Sequence, residues 1–378
     1  MLPRPMFSDD HEMFREQVRR FAEKEIVPYH DQWERDGMVS REVWAAAGES
    51  GLLCCTVPEE YGGAGGDFMH STIVIEELAK VGASGPAFHL HSDIVVPYIM
   101  AYGSEDQKRE WLPKLVRGET ISAVAMSEPG GGSDLQNIQT RAVRDGNHFV
   151  INGQKVFISN GQIADLVVVA CKTNPDEGAK GVSLILVERG RDGFRRGRNL
   201  EKVGYKAQDT SELFFEDVRV PITNLLGEEG RGFAQLMTEL AQERLVVALR
   251  SAQIIETALQ WTIDYTRERK AFGRTIAEFQ NTRFKLAEIK TKAMVTRAFI
   301  DQCLALHLKG ELDSETAAAA KLHATDTLCA VLDECVQLHG GYGYMWEYPI
   351  ARAWADARMT RIAGGTSEIM KEIISRAL

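Results

Sequence analysis

The chain has 378 residues, 44% of them hydrophobic, which is enough for two or three packed layers and argues against wholesale disorder. Its formal net charge of -10 excludes a protein that holds nucleic acid by neutralising phosphates with a basic surface. A phosphate-bearing cofactor is not excluded, because backbone N–H groups can hold phosphates locally.

Residues 1–7 are too short for the apolar core of a secretory signal, and no run approaches the ~18 apolar residues of a membrane span. The expected compartment is the bacterial cytoplasm or, for a processed chain, the mitochondrial matrix. Cys54, Cys55, Cys171, Cys303, Cys329 and Cys335 are scattered without a C-x-x-C pair and read as buried free thiols. The histidines form no H-E-x-x-H or His/Cys pattern, so no metal site is expected.

Residues 1–119 read as a helical domain. Ser8 caps a segment carrying Phe14, Val18, Phe21 and Ile26 on one face, and Ser104 with Gln107 forms a capping box for a helix that stops at Gly118. Between them lie apolar-periodic stretches near 40–50, 67–81 and 86–101.

The period changes over residues 120–228. Short runs rich in Val, Ile and Phe at 121–126, 148–151, 154–159, 166–171, 182–187 and 212–216 predict strands. The breaks at Asp145-Gly146-Asn147, Asn152-Gly153 and Asn174 to Gly181 read as turns. Residues 229–378 return to helical spacing, with long patterns at 231–266, 278–309 and 314–338, and Gly340-Gly341 ends the third. The predicted class is α+β: an N-terminal helical domain, a middle β domain and a C-terminal four-helix-bundle domain. Helix and strand do not alternate, and no glycine cluster follows a strand to open a helix as G-x-G-x-x-G, which excludes a nicotinamide-binding fold.

Three motifs carry candidate chemistry. Ala125-Met126-Ser127-Glu128-Pro129-Gly130-Gly131-Gly132-Ser133 brings main-chain N–H groups close to a ligand without side-chain obstruction, although a surface turn would explain it equally well. Gln337-Leu338-His339-Gly340-Gly341-Tyr342-Gly343-Tyr344 ends a helix in a glycine turn, which a simple C-cap would also explain. In Arg361-Ile362-Ala363-Gly364-Gly365-Thr366-Ser367-Glu368, Thr366 or Ser367 caps a closing helix whose first N–H groups can hold an oxyanion.

In this order, and over essentially the whole chain, these motifs resemble the acyl-CoA dehydrogenase family. The Gln337–Asp356 stretch fits a family signature at Gln337, Gly340, Gly341, Gly343, Tyr344, Glu347, Arg352 and Asp356; the first motif departs only at Asn137, where a small residue is usual. The resemblance implies FAD in an extended pose. Residues matching Val124, Ala125, Met126, Ser127, Gly132, Ser133, Phe157, Ile158 and Ser159 lie along the flavin in relatives. Those matching Arg269, Phe272, Gln280, Gln337, Leu338, Gly340 and Gly341 contact FAD bound mainly by a neighbouring subunit, and Thr366 and Glu368 match further cofactor contacts. Shared flavin sites imply a homo-oligomer, usually a tetramer built as a dimer of dimers. The family's usual electron acceptor is electron-transfer flavoprotein.

The reaction removes a proton from the carbon next to the thioester carbonyl of acyl-CoA, so a carboxylate base is required there. Many relatives place it immediately before the Gly-Thr of the third motif, where this chain has Gly364. Long-chain and isovaleryl-type relatives take it from an earlier helix, and Glu243 in Ala241-Gln242-Glu243-Arg244-Leu245 matches that position. An exposed glutamate paired with Arg244 or Arg250 is the structural alternative. Arg244 matches an arginine beside the base, with either an orienting or a structural role. Ser133, Arg244, Gly364 and Gly365 are the expected substrate-side residues, Gly364 through its backbone N–H. A medium, long or branched acyl chain is expected, with Ser92 and Pro97 opening the pocket floor. An oxidase or monooxygenase on the same scaffold, and a silent acyl-CoA-binding protein that lost its base, are the competing readings.

Overall fold

Ser8 starts the first helix, α1 (Asp9–Phe21), by accepting from the His11 N–H, while His11 Nδ1 accepts from the Ser8 N–H. The computed structural model describes residues 2–378. A π turn at Ala22–Ile26 extends α1, and α2 (His30–Asp36), α3 (Arg41–Glu49) and α4 (Phe68–Lys80) follow. α4 is buried along nearly its whole length because it packs between α1 and a later helix. The apolar stretch expected at 86–101 is broken: α5 (Phe88–Leu90) runs into a π turn at His91–Val95, then α6 (Val96–Tyr102) with Pro97 in its first turn. The predicted capping box at Ser104 opens α7 (Glu105–Val116).

The middle third is one sheet ordered β6-β7-β3-β2-β4-β5-β8, with β1 paired parallel to β4. Its strands are β1 (Ser122–Ala125), β2 (Arg141–Asp145), β3 (His148–Ser159), β4 (Leu166–Lys172), β5 (Val182–Glu188), β6 (Phe194–Asn199), β7 (Thr210–Pro221) and β8 (Leu225–Leu226). β4 is buried on both faces. Val167, Val169 and Cys171 point into the sheet's own core, while Leu166, Val168 and Ala170 join the helical core of the first third.

Asn152-Gly153, expected to be a turn, is instead a bulge inside the continuous strand β3. Gly153 has φ +155°, and a Cβ there would lie 2.4–2.7 Å from Thr140, so glycine is required by the close approach of the neighbouring chain. The turn at Asp145-Gly146-Asn147 joins β2 to β3 as expected.

The last third holds α8 (Gly232–Glu268), the small hairpin β9 (Lys270–Ala271) and β10 (Arg274–Thr275), α9 (Gln280–Leu308), α10 (Ser314–His339), α11 (Pro349–Thr360) and α12 (Ser367–Ser375). α8, α9 and α10 pack on one another, α11 and α12 lie against α10, and α4 lies against α8. A buried ion network locks this last contact. Arg297 of α9, 1% exposed, reaches Glu76 of α4 at 2.7 Å and Glu256 of α8 at 2.6 Å, and Arg4 and Arg15 also hold Glu76. Burial alone would raise the Glu76 pKa, but Arg297 and Arg4 hold it below its ordinary value. Removing one partner of such a group costs roughly 3–5 kcal/mol, because a charge is left buried alone. No helix among the described residues is long and apolar enough to cross a membrane.

Candidate active site

α6 and α8 run antiparallel where they meet, and two tyrosines of one face two glutamates of the other. The Tyr98 hydroxyl donates to Glu243 Oε1 at 2.7 Å, and the Tyr102 hydroxyl donates to Glu239 Oε1 at 2.8 Å. Both pairs are four residues apart on their own helices, the spacing of one helical face. Glu243 is therefore not the exposed carboxylate of the structural alternative. It is 7% exposed and bonded to neither Arg244 nor Arg250. Burial pushes its pKa up to about 7; the Tyr98 hydrogen bond opposes the rise, the charge of Glu239 adds to it, and Arg244 opposes it. A buried carboxyl with its pKa raised towards neutrality is suited to taking a proton from a weak carbon acid.

Arg244, the next residue, turns away and donates to Ser314 Oγ at 2.9 Å, while its buried Nε has no hydrogen-bond partner among the described residues. Across from it stands Lys321 of α10, fully buried, with Nζ donating to the Gly365 carbonyl at 2.5 Å. Burial first, and then the charge of the nearby Arg244, lower the Lys321 pKa to about 8. Lys321 thus ties the Gly364-Gly365 turn to α10, which packs against α8, the helix of Glu243. Gly365 has φ +95°, a conformation that strains any residue with a Cβ, and a Cβ there would also press the Met370 methyl at 2.7 Å. Thr366 then caps α12, accepting from the Ile369 N–H. Glu368 lies exposed in the first turn of the same helix.

The first glycine motif leaves the end of β1. Beneath it lies a buried pair: Lys155 Nζ, fully shielded, donates to Glu128 Oε1 at 2.8 Å and to the Met126 carbonyl at 3.0 Å. Glu128 also accepts from the Gln139 and Thr140 N–H groups. Burial would raise Glu128, but Lys155 keeps it below the usual carboxylate range. The Val156 N–H donates to the Ser127 carbonyl, which lays the Val124–Ser133 segment beside Phe157, Ile158 and Ser159. Ala125 and Ile158 point into the sheet core, so they can offer a ligand only their main chain. Phe157 is in the left-handed region at φ +61° and its ring is exposed, a conformation rare for an aromatic residue.

The Gln337–Gly341 turn meets the end of α8. Tyr265, Arg269, Gln337, Leu338, Gly340 and Gly341 line a groove of about 620 Å³, in which Arg269 lies over the Tyr342 ring. A Cβ on Gly340 or Gly341 would meet no protein atom within 4 Å, so the chain's own packing does not fill that face. Phe272, in the β9–β10 hairpin, is 95% exposed, and Gln280 opens α9. This second cluster does not join the first. Glu243 lies within α8 and Arg269 caps its C-terminal end 26 residues on, a span of roughly 39 Å at the rise of an α-helix.

Ser92, expected at the pocket floor, accepts from the Cys54 N–H at 2.9 Å and so faces the N-terminal core. Pro97 starts α6 one residue before Tyr98. The fold also gathers His11, Asp67 and His70, which the sequence spacing did not suggest. They cap α1 and α4, and the positive ends of both helix dipoles face the group, an unfavourable place for a cation. Tyr98, Tyr102, Glu239, Lys321 and Lys155 were not singled out in the sequence; the only signal for the first three is the matched four-residue spacing of two tyrosines and two glutamates.

The chain matches the N-terminal domain of acyl-CoA dehydrogenases over residues 8–119, the middle domain over 123–218 and the C-terminal domain over 230–378. The mitochondrial long-chain specific acyl-CoA dehydrogenase of Rattus norvegicus is 52% identical over 377 residues, covering 99% of this chain and 88% of the relative. The crystal structure of an acyl-CoA dehydrogenase from Geobacillus kaustophilus superposes with a TM-score of 0.98 at 50% identity, covering 99% of each chain. A glutaryl-CoA dehydrogenase from Mycobacterium smegmatis in complex with FADH2 superposes with a TM-score of 0.92 at 27% identity, covering 98% of this chain and 95% of that one.

Proposed function

The chain belongs to the acyl-CoA dehydrogenase family of oxidoreductases, and on that premise we propose that Glu243 is the base that takes the α proton of an acyl-CoA thioester. The observation that carries this reading is the burial of Glu243 against Tyr98, together with a glycine at 364. The product is the trans-2-enoyl-CoA. The backbone N–H of Gly364 and of the residues after it polarises the thioester oxygen, in a turn that Lys321 holds by the Gly365 carbonyl. Arg244, whose buried Nε is unpartnered among the described residues, is proposed as a substrate-side residue next to the base.

FAD is the proposed cofactor, and when bound it accepts the two electrons and the β hydrogen. The residues present fit it: open glycine faces at Gly340 and Gly341, a capped helix start at Thr366, and the Ser127–Ser133 loop braced by Lys155 and Glu128. Arg269 and Gln337–Gly341 are proposed, as the family resemblance implies, to serve a cofactor seated mainly in a second copy. That favours a dimer at least, and a tetramer as a dimer of dimers.

The acyl chain is proposed to be medium, long or branched, on the strength of the identity to a long-chain specific relative. Electron-transfer flavoprotein is the proposed acceptor. The deciding experiment is anaerobic titration of the FAD-loaded protein with a panel of straight and branched acyl-CoAs. Bleaching of the oxidised flavin by wild type but not by Glu243→Gln, with equal FAD content, is the expected result. Normal bleaching by Glu243→Gln would remove the base from this position, and strict preference for four-carbon thioesters would remove the long pocket.

A further inference from the structure

Among the described residues the Glu243 carboxyl has one hydrogen-bond partner, and that partner comes from a different third of the chain. Tyr98 is completely buried, and its hydroxyl reaches Oε1 at 2.7 Å. No group bonds Oε2. The direction of Tyr98 is set by the π turn at His91–Val95, which inserts a residue into the helix just before Pro97 and so re-aims α6. Gln242 fixes the same junction from α8, its amide donating to the Asp93 carbonyl at 2.8 Å.

We propose that Tyr98 is a positioning residue for the reaction: by holding Oε1 from α6 it leaves Oε2 as the oxygen that takes the α proton. This rests on the reading of Glu243 as the base. In the step itself the Cα–H bond breaks, the proton forms a bond to Oε2, and the Tyr98 proton stays on its own oxygen throughout. A hydroxyl that donates to a carboxylate favours the charged form. Tyr98 therefore also keeps the base ready at a pH where burial would otherwise leave it protonated. The other groups facing Glu243 are Glu239 and Arg244 on its own helix; Tyr102 of α6 is engaged by Glu239, and Lys321 of α10 faces Arg244 and Gly365.

The test is the pH profile of flavin bleaching by the FAD-loaded enzyme at subsaturating acyl-CoA, which reports groups of the free enzyme. In wild type the rate should rise with pH through about 7. Tyr98→Phe removes one donor to a charged group and should move that midpoint up by roughly one unit, making the enzyme about tenfold slower on the acid side and near normal on the alkaline side. Site-specific 3-fluorotyrosine at 98 keeps the ring and strengthens the donor, so its midpoint should move down; it serves where Tyr98→Phe folds poorly. A uniform fall at every pH, or unmoved midpoints in both variants, would reduce Tyr98 to packing and overturn the proposal. A Glu243→Gln enzyme that still bleaches would overturn the base reading and this proposal with it. An inactive Glu243→Gln beside unmoved Tyr98 variants overturns the Tyr98 role alone.

Discussion

Replacing Lys321 with methionine should separate stability from turnover. The ammonium is fully buried on α10, and burial lowers its pKa from 10.5 to about 8. A shift of that size means that holding the charged form in the fold costs about 3 kcal/mol. Against this stands the hydrogen bond to the Gly365 carbonyl at 2.5 Å, a bond from a charged donor worth roughly 1.5–3 kcal/mol. Methionine has similar length and no charge, so the two effects nearly cancel. The variant should lie between unchanged and about 2 kcal/mol more stable at pH 7. The sign depends on pH. A lysine whose folded pKa is depressed destabilises fully below that pKa, and the penalty fades between about 8 and 10.5. The advantage of methionine should therefore shrink over that window. Turnover should move the other way, because the Gly364-Gly365 turn loses the contact that fixes its carbonyl; a fall of 10-fold or more is expected for a polarising site set loose by a fraction of an ångström. Thermal melts across pH 7 to 10.5 and anaerobic bleaching rates measure the two quantities on the same FAD-loaded sample. A variant that melts several degrees lower at pH 7, or one that keeps full activity, would refute the assignment of Lys321 to the turn.

Glu243→Gln carries a stability prediction as well. Its folded pKa is raised from 4.5 to about 7, so wild type loses stability as pH rises through that range, and glutamine should be more stable at pH 8 by up to about 3 kcal/mol. Chemical denaturation at pH 4.5 and pH 8 checks this, and an equal difference at both would contradict it. Gly341→Ala adds a methyl that meets no protein atom, so the melting of the FAD-free protein should hold or rise slightly while affinity for FAD falls. Equilibrium dialysis with FAD tests it, and unchanged affinity would take that face out of the cofactor site. Glu128→Ala leaves the buried Lys155 charge with only the Met126 carbonyl and should destabilise by roughly 3–5 kcal/mol; Glu128→Ala with Lys155→Met should recover much of it, and a double variant no better than the single would show that the pair is not the cause.

Much of the architecture was legible because it rests on local physics. The Ser8 and Ser104 boxes, the long 3.6-residue patterns of α8 to α10 and the Gly340 stop each depend on neighbours within one helical turn. The failures have the opposite character. Asn152-Gly153 carries a turn's composition, yet the fold uses it as a bulge because Thr140 of the adjoining segment presses on Gly153. β2 and β6 escaped notice because their outward residues are Arg, Asp and Asn and too few apolar ones alternate. At the site, exchange of the glutamate at 364 for Glu243 was visible by position. The partner that positions Glu243 lies 145 residues away in Tyr98, and the partner of Lys321 lies 44 residues away at Gly365. Nothing in an alanine-rich helix marks one lysine as buried.

These long-range contacts share a design. Glu243 is held from α6, the glycine turn from α10, and the Ser127 loop from β3, so one part of the candidate site leans on each third of the chain. Each contact also keeps a titratable group out of water, and the burial that tunes Glu243 and weakens Lys321 is a cost that the separate thirds would not bear alone. The Arg297–Glu76–Glu256 network supplies the docking that makes such burial possible, since it locks α4, α8 and α9 where the first and last thirds meet. It follows that loosening this network, far from any reacting atom, should let water reach Glu243, return its pKa towards that of a free carboxyl and weaken its basicity before the fold is lost. A lower pH midpoint of flavin bleaching in Glu256→Gln is the expected result, and an unmoved midpoint would refute the link between the network and the base.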